Sequence, residues 1–437
     1  MFSFIHAADI HLDSPLLNLD RYEGAPSERL RGATRRAFEN MIDLAIREKV
    51  DFVIIAGDLF DGNWKDYSSG LYLAGRLGRL KSAGIPVFIA SGNHDAASVI
   101  TKSLRLPDNI RFFSVDAPET DKETLKHLRV AIHGQGFKTP GLKKNIAADY
   151  PNALPGYYNI GILHTNISGS AGHDNYAPSS IQDLLSKDYQ YFALGHIHTR
   201  AIIKNSPFIV YPGNIQGRHI KETGPKGCML VKVDDTFRTH AEFVPLHVLL
   251  WERLRTDISE DSDADADQNE SSDALTSVLD AVSVKLNALT AEQGDTPMAV
   301  RIEITGETKA YDAIIADRAK LKNDIRSMSM EFGDGAVWIE KIILNITPKK
   351  QDHPYDTDMG AYSLGPSGEI ESLAEDLEND PDLKSEILNV LTDVMNALPP
   401  DVKKDPHHVG MNDEWIRDRL KASVGILNKS LKEGGAS

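Results

Sequence analysis

The chain has 437 residues, is 41% hydrophobic and 26% charged, and carries a formal net charge of −16. At roughly 100–200 residues per domain this predicts two or three domains with ample core material, and it excludes wholesale disorder, a collagen-like fibre and a small disulfide scaffold. The charge is local, +2 over residues 1–250 and −18 over 251–437, so a polyanionic ligand stays open for the first half while broad, sequence-blind adhesion to one is disfavoured.

No run approaches the roughly 18 apolar residues of a membrane span. The start has no basic segment leading into an apolar stretch, so no secretory leader is expected. The single Cys228 can form neither an internal disulfide nor a thiolate metal site. A reducing, cytoplasmic location is the expectation.

In chain order, residues 2–7 are a short apolar run. A helix is predicted over 27–49, with Leu30, Ala33, Ala37, Met41, Leu44 and Ala45 at helical spacing. Residues 52–56, 87–90, 159–163 and 191–194 are buried-strand runs. Residues 208–211, 229–233 and 241–244 add strands without long helices between them. This pattern predicts a layered α/β domain over 1–250 that ends strand-rich. Residues 259–273 (SEDSDADADQNESSD) form an acidic, low-complexity linker or loop. A helix over 275–289, a strand over 300–304, a helix over 311–325 and a strand over 337–346 predict a small α+β domain at 274–350. Pro/Gly-punctuated chain follows to 366, and then a helical region to 437, with helices at 381–397 and 413–432. The last carries Trp415, Ile416, Leu420, Val424, Leu427 and Leu431 on one stripe. Internal packing or partner docking would use that stripe. No G-x-x-x-x-G-K-[ST] loop occurs, so no nucleoside-triphosphatase site is written here.

Five polar clusters stand at the ends of the apolar runs: Asp9-Ile10-His11, Gly57-Asp58-Leu59-Phe60-Asp61, Gly92-Asn93-His94-Asp95, His164, and Gly195-His196-Ile197-His198. Ligands of open α/β sheets gather beyond the carboxyl ends of strands, so the five can converge. Carboxylate, imidazole and amide oxygen without thiolate suit manganese, iron or zinc, and two such sets suit a two-metal centre. On extended backbone an i, i+2 pair such as Asp9 and His11 points to one side. For His196 and His198 a tight turn could instead aim the rings at two ions. Asp58 could bridge two ions with its two oxygens. His6, His127, His133, His173 and His240 have no comparable neighbours and are expected to be structural or solvated.

The ordered set D-x-H, GDLFD, GNHD, H and GHIH resembles the calcineurin-like metallophosphoesterase superfamily. The ADIHLDSP start, the GDLFD form, and Tyr211-Pro212-Gly213-Asn214-Ile215-Gln216-Gly217-Arg218 after GHIH resemble its SbcD/YhaO-type DNA repair exonuclease branch, over about residues 1–245. The resemblance implies a four-layer α/β-β/α sandwich with a small α+β cap domain and C-terminal helices. It implies two divalent ions, Mn2+ first, with Fe2+ or Zn2+ as alternatives. Asp9, His11, Asp58 and His198 would hold one ion, and Asp58, Asn93, His164 and His196 the other. His94 would face the scissile phosphate as the proton donor, and Asp95 would orient it. Archaeal and eukaryotic relatives often carry a His three residues after the bridging Asp. Asp61 stands there in this chain, either accepting from a ligand His or capping a turn, so that relative's phosphate-handling role does not transfer.

Asn214, Arg218, His219 and Lys221 lie in the loop after GHIH and form either a phosphate clamp or a solvated turn. Arg29, Arg31, Arg35 and Arg36 are expected on a solvated helix face. The implied activity is a DNA exonuclease, with endonuclease action as a further expectation, working at DNA ends in repair. Its implied partners are DNA, an SbcC-like SMC-type ATPase supplied in trans, and a second copy of the chain. Two rivals share the residues: a phosphoesterase for small molecules or phosphoproteins, and a catalytically silent DNA-end-binding scaffold.

Overall fold

The computed structural model of the chain describes residues 1–14, 32–61, 67–97, 106–115, 121–167, 177–259, 271–333 and 335–349. The chain divides into two units, 1–350 and 351–437. The helices expected at 381–397 and 413–432, the Trp415 stripe, most of the acidic stretch, Arg29, Arg31 and His173 lie outside the described residues.

Four strands form a parallel core, β1 (Phe2–Ala7), β2 (Phe52–Ala56), β3 (Val87–Ala90) and β4 (Ile110–Phe112), with registers such as Phe4↔Phe52 and Ile55↔Ile89. A second sheet contains β5 (Asp121–Leu125), β6 (Val130–Gly134), β7 (Tyr158–His164), β8 (Tyr191–Gly195), β9 (Ala201–Asn205) and β10 (Phe208–Tyr211), in the order β5-β6-β7-β8-β10-β9. β11 (Gly227–Val233) and β12 (Thr239–Pro245) return to the first sheet and extend its β1 edge antiparallel, giving the order β12-β11-β1-β2-β3-β4.

β2, β3 and β8 are apolar on successive residues because both of their faces are covered. Between the sheets, Phe4, Phe52, Ile54 and Phe88 meet Tyr158, Ile160, Tyr191 and Val210. Phe4 stacks on Phe52 at 4.9 Å between ring centroids and meets Tyr191 edge-on at 5.3 Å. The outer face of the first sheet is covered by α1 (Ala33–Glu48) and α2 (Tyr67–Ser82), with Phe38, Met41, Leu73 and Leu77 against Ile5, Val53, Ile55 and Ile89. α1 stops at Lys49, whose left-handed backbone turns its N–H back onto Ala45 and Ile46. Arg35 does not stand on a solvated face. It donates two 2.6 Å hydrogen bonds to Asp13, fastening α1 to the loop after β1, and lies over the Tyr72 ring. After the five-residue helix α3 (Asn93–Ala97), the fourth layer is thin: α4 (Ile181–Leu185) and the segment around Tyr150 cover Leu163, Phe192, Leu194 and Ile209. Helix, sheet, sheet and helix make the expected sandwich.

The third sheet is parallel, β13 (Leu250–Asp257), β14 (Met298–Thr308) and β15 (Val337–Pro348). α5 (Ser271–Gln293), α6 (Tyr311–Ala316) and α7 (Arg318–Ser329) pack on one face through Val282, Leu286, Ile314, Leu321 and Ile325. The helix expected over 311–325 is two helices broken at Asp317. Trp251, Ala299 and Trp338 join Ile220 and Leu249 in a separate small cluster.

Candidate metal centre

The five clusters sit at or just past the ends of β1, β2, β3, β7 and β8, and the sandwich brings them together. Asp9 and His11 are not on extended backbone as the spacing suggested. β1 ends at Ala7, and both residues adopt left-handed backbone, with φ of 51° and 45°. Asp58 (φ 53°) and His196 (φ 99°) are likewise left-handed. Non-glycine residues hold such backbone only where the surroundings enforce it. Here the loops after β1 and β2 zip together, Asp9 N–H to Gly57 O (3.1 Å), His11 N–H to Asp58 O (3.0 Å) and Leu12 N–H to Leu59 O (2.8 Å). The His196 N–H donates to both Asp9 carboxylate oxygens at 3.1 Å, joining the two sheets at the site.

Two groups of donor atoms lie close enough to share an ion: Asp9, His11 and His198, and Asp9, Asp58 and His164. Asp58 also faces both ways, with Oδ2 3.4 Å from His164 Nε2 and 3.9 Å from His11 Nε2. Asn93 Oδ1 is 3.0 Å from His164 Nε2, and the His196 ring stands 5.3 Å from that of His164.

The hydrogen bonds on the far side of each ring are decisive. His11 Nδ1 bonds Asp61 at 2.7 Å, His198 Nδ1 bonds Glu222 at 2.7 Å, and His164 Nδ1 bonds the Ala56 carbonyl at 2.9 Å. Carboxylates and carbonyls only accept, so each Nδ1 carries a proton, and in the neutral ring Nε2 turns its lone pair inward. His11 and His198 thus aim Nε2 atoms at one another across 3.2 Å. Facing lone pairs repel unless a cation stands with them. The donor set therefore fits divalent metal.

The electrostatics agree. Burial opposes charge on Asp58, but the His164 imidazole beside it holds the carboxyl well below the usual range. Burial also opposes charge on His164, yet Asp58 and Asp9 push that ring up to about 9, so without metal a proton occupies the place of a cation. Burial and the Asp58 charge push Asp95 up to about 7.

The remaining expected residues divide. His94 lines the mouth, its side chain 43% exposed, 5.2 Å from the His11 ring and with Nδ1 3.8 Å from Asp61. Asp95 takes backbone amides, from Leu59 (2.9 Å), Phe60 (3.2 Å) and Gly92 (3.0 Å), so its carboxylate locks the second motif loop onto the third. Asn214 is buried and donates to Glu222 at 3.0 Å; substrate contact is not its job. Arg218 is almost enclosed, bonded to Glu222 at 2.9 Å and to Ser14 at 3.3 Å, and 3.6 Å from Asp61. His219 is half exposed beside Glu222. Sequence reasoning missed Glu222, which lies in the same loop as Arg218 with no strand to flag it.

Gly57, Gly92 and Gly195 make the floor. A Cβ on Gly195 would stand 1.8 Å from Ala56 O, one on Gly57 2.3 Å from His164 Nδ1, and one on Gly92 2.2 Å from Asp58 Oδ1.

Residues 2–200 match the calcineurin-like phosphoesterases, and residues 251–347 match the middle domain of metallophosphoesterase YhaO. Over 260 residues the chain is 39% identical to the uncharacterized metallophosphoesterase YhaO of Bacillus subtilis, covering 59% of this chain and 64% of that one. It is 30% identical over 243 residues to the DNA double-strand break repair protein Mre11 of Sulfurisphaera tokodaii, covering 52% and 58%. Less than two thirds of either relative is spanned. The Thermoplasma acidophilum protein of the latter name is 25% identical over 343 residues, covering 74% of this chain and 82% of its own.

Proposed function

We propose, on the match of residues 2–200 to the calcineurin-like phosphoesterases, that the chain is a two-metal phosphodiesterase acting on DNA ends. The carrying observation is the set of three inward Nε2 atoms, on His11, His164 and His198, each freed by an acceptor on Nδ1. Asp9, His11, Asp58 and His198 would hold one ion, and Asp58, Asn93, His164 and His196 the other. Bound ions would supply Lewis acidity toward a phosphate oxygen and a water acidic enough to ionise near neutral pH. Manganese is the first choice for this all-nitrogen-and-oxygen set, with iron or zinc next.

His94, at the mouth and outside the inward donor set, is the group placed to protonate the leaving oxygen, with Asp61 beside its Nδ1. Arg218 and His219 border the pit, where a phosphate backbone would be positioned without its sequence being read. The DNA assignment is supported by the likeness to the two repair proteins. We take 1–250 as the phosphoesterase part, 274–350 as the cap and 366–437 as a helical region. An SMC-type ATPase in trans and a second copy of the chain are the proposed partners, and the cytoplasm the proposed compartment. Among the described residues no helix is long and apolar enough to cross a membrane.

The test is digestion of end-labelled duplex and single-stranded DNA with Mn2+, with and without chelator, beside Asp58→Ala. Chelator-sensitive release of nucleotides, lost in Asp58→Ala, is expected. Hydrolysis of bis-p-nitrophenyl phosphate with intact DNA would make the protein a small-molecule phosphoesterase. DNA-end binding without hydrolysis of either would make it a scaffold.

A further inference from the structure

Glu222 is 6% exposed, a carboxylate in a loop expected to be a clamp or a solvated turn. Its Oε1 accepts from His198 Nδ1 (2.7 Å) and Arg218 Nη2 (2.9 Å), and its Oε2 from Asn214 Nδ2 (3.0 Å) and the Arg218 N–H (2.8 Å). All four of these donors converge on one buried carboxylate. Lys226 reaches the same turn, donating from Nζ to His198 O at 3.0 Å.

The other side of this loop is bolted to the third sheet. Trp251, in β13, donates from its indole N–H to Gly217 O (3.0 Å) and accepts at its carbonyl from the Gly224 N–H (3.1 Å). Gln216 donates to Leu249 O (2.7 Å) and accepts from the Val248 N–H (2.9 Å). A Cβ on Gly217 would stand 2.7 Å from Glu222 O and 3.0 Å from Trp251 Cδ1, so indole and loop are in direct contact there. Trp251 pairs with Ala299 on β14 and meets Trp338 edge-on at 6.2 Å.

We propose that Glu222 is a positioning residue for His198, and that through Gly217 and Trp251 it makes the placement of that imidazole depend on the third sheet. This rests on the metal reading above. Asp61 does the same for His11 from within the second motif. Glu222 does it from a loop whose other anchor is a separate layer of the fold. Accepting from Nδ1 at 2.7 Å, the carboxylate holds the tautomer and ring plane and makes Nε2 a stronger donor. Displacement of β13 would draw on the loop that carries this carboxylate.

The experiment titrates Mn2+ into the metal-depleted full chain by calorimetry and electron paramagnetic resonance, for wild type, Glu222→Gln, Glu222→Asp, Glu222→Ala and Trp251→Phe. Thermal unfolding of each metal-free protein is recorded alongside. Expected are two ions in wild type, and in Glu222→Gln one ion weakened about 10–100-fold with the other unchanged. Glu222→Asp should be intermediate, and kcat should fall with KM held. Trp251→Phe should weaken the same ion to a smaller degree. Wild-type affinity for both ions in folded Glu222→Gln and Glu222→Ala overturns the positioning role. Equal weakening of both ions, in step with a lowered metal-free Tm, shows a structural role and overturns it too. Unchanged binding in Trp251→Phe overturns the link to the third sheet. Wild type that binds no pair of ions sinks the metal reading itself, a separate outcome.

Discussion

Replacing Gly92 by alanine tests the site by sterics alone, because no ligand atom is removed. The new Cβ would stand 2.2 Å from Asp58 Oδ1, 2.8 Å from Asp58 N and 2.9 Å from Asp58 Cγ. Carbon packs at roughly 3.5 Å or more from its neighbours, so Asp58 or the 92–95 turn must retreat by about 1 Å. Neither is free to do so. Asp58 Oδ1 already accepts from His94 N–H at 3.0 Å, and Gly92 N–H already donates to Asp95. Overpacking of this kind costs about 1–3 kcal/mol of stability. A displacement of about 1 Å at a reacting centre costs on the order of 10²-fold in rate. Gly92→Ala is therefore expected to remain folded, to lose Mn2+ affinity in calorimetry, and to fall about 10²-fold in kcat/KM on bis-p-nitrophenyl phosphate. Gly75, within α2, faces open space. Gly75→Ala should add up to about 1 kcal/mol of stability with unchanged activity. A Gly92→Ala protein with wild-type metal affinity and turnover would refute the inference that the glycine floor sets the position of Asp58.

Two further outcomes are expected. His94→Gln should keep both ions, since its ring lies at the exposed mouth, while kcat drops by about 10²–10⁴-fold; loss of an ion on calorimetric titration would instead make His94 a ligand. The second concerns acid stability. His133 is buried against Tyr189 and bonded to Asn159 at 3.1 Å, and burial pushes it down to about 4. The unfolded chain takes up that proton near pH 6.5 and the folded one does not. The contribution is thus complete above pH 6.5 and is lost as pH falls toward 4, in all about 3 kcal/mol at about 1.4 kcal/mol per pH unit. Urea unfolding in chelator from pH 7.5 to 4.5 should show a shallower pH slope for His133→Gln by close to one proton, and parallel curves for the two proteins would contradict it.

Most strands legible in the sequence were covered on both faces, although β6 (Val130–Gly134), buried throughout, was missed and the edge strand β12 was found. Phe52–Ala56 and Tyr191–Gly195 are buried at every position, so their apolar runs were unbroken. β5 (DKETL) and β9 (AIIKN) are edge strands, open on one side, and their charges hid them. α2 was hidden for a different reason: Gly70, Gly75 and Gly78 dilute its pattern, and the burial of Leu73, Leu77 and Leu80 makes it a helix. The break at Asp317 was invisible because the apolar spacing runs on, with Ile314, Leu321 and Ile325 all facing the sheet.

At the site, the identity of the residues was legible and their backbone was not. A strand end followed by carboxylate and imidazole predicts a ligand cluster, but not that Asp9 and His11 must turn left-handed for the loops after β1 and β2 to hydrogen-bond each other. The two carboxylates that fix ligand rings show the same limit. Asp61 is three residues from Asp58, within one motif, and its link to His11 could be anticipated. Glu222 is 24 residues beyond His198, and nothing in the intervening chain marks it. Only the fold shows that Asn214, Arg218 and Glu222 converge beneath one imidazole while Trp251 pins the opposite side of the loop. Arg218, expected beside a phosphate, has its guanidinium on a buried carboxylate, so the placement of His198 draws on hydrogen bonds made within the protein.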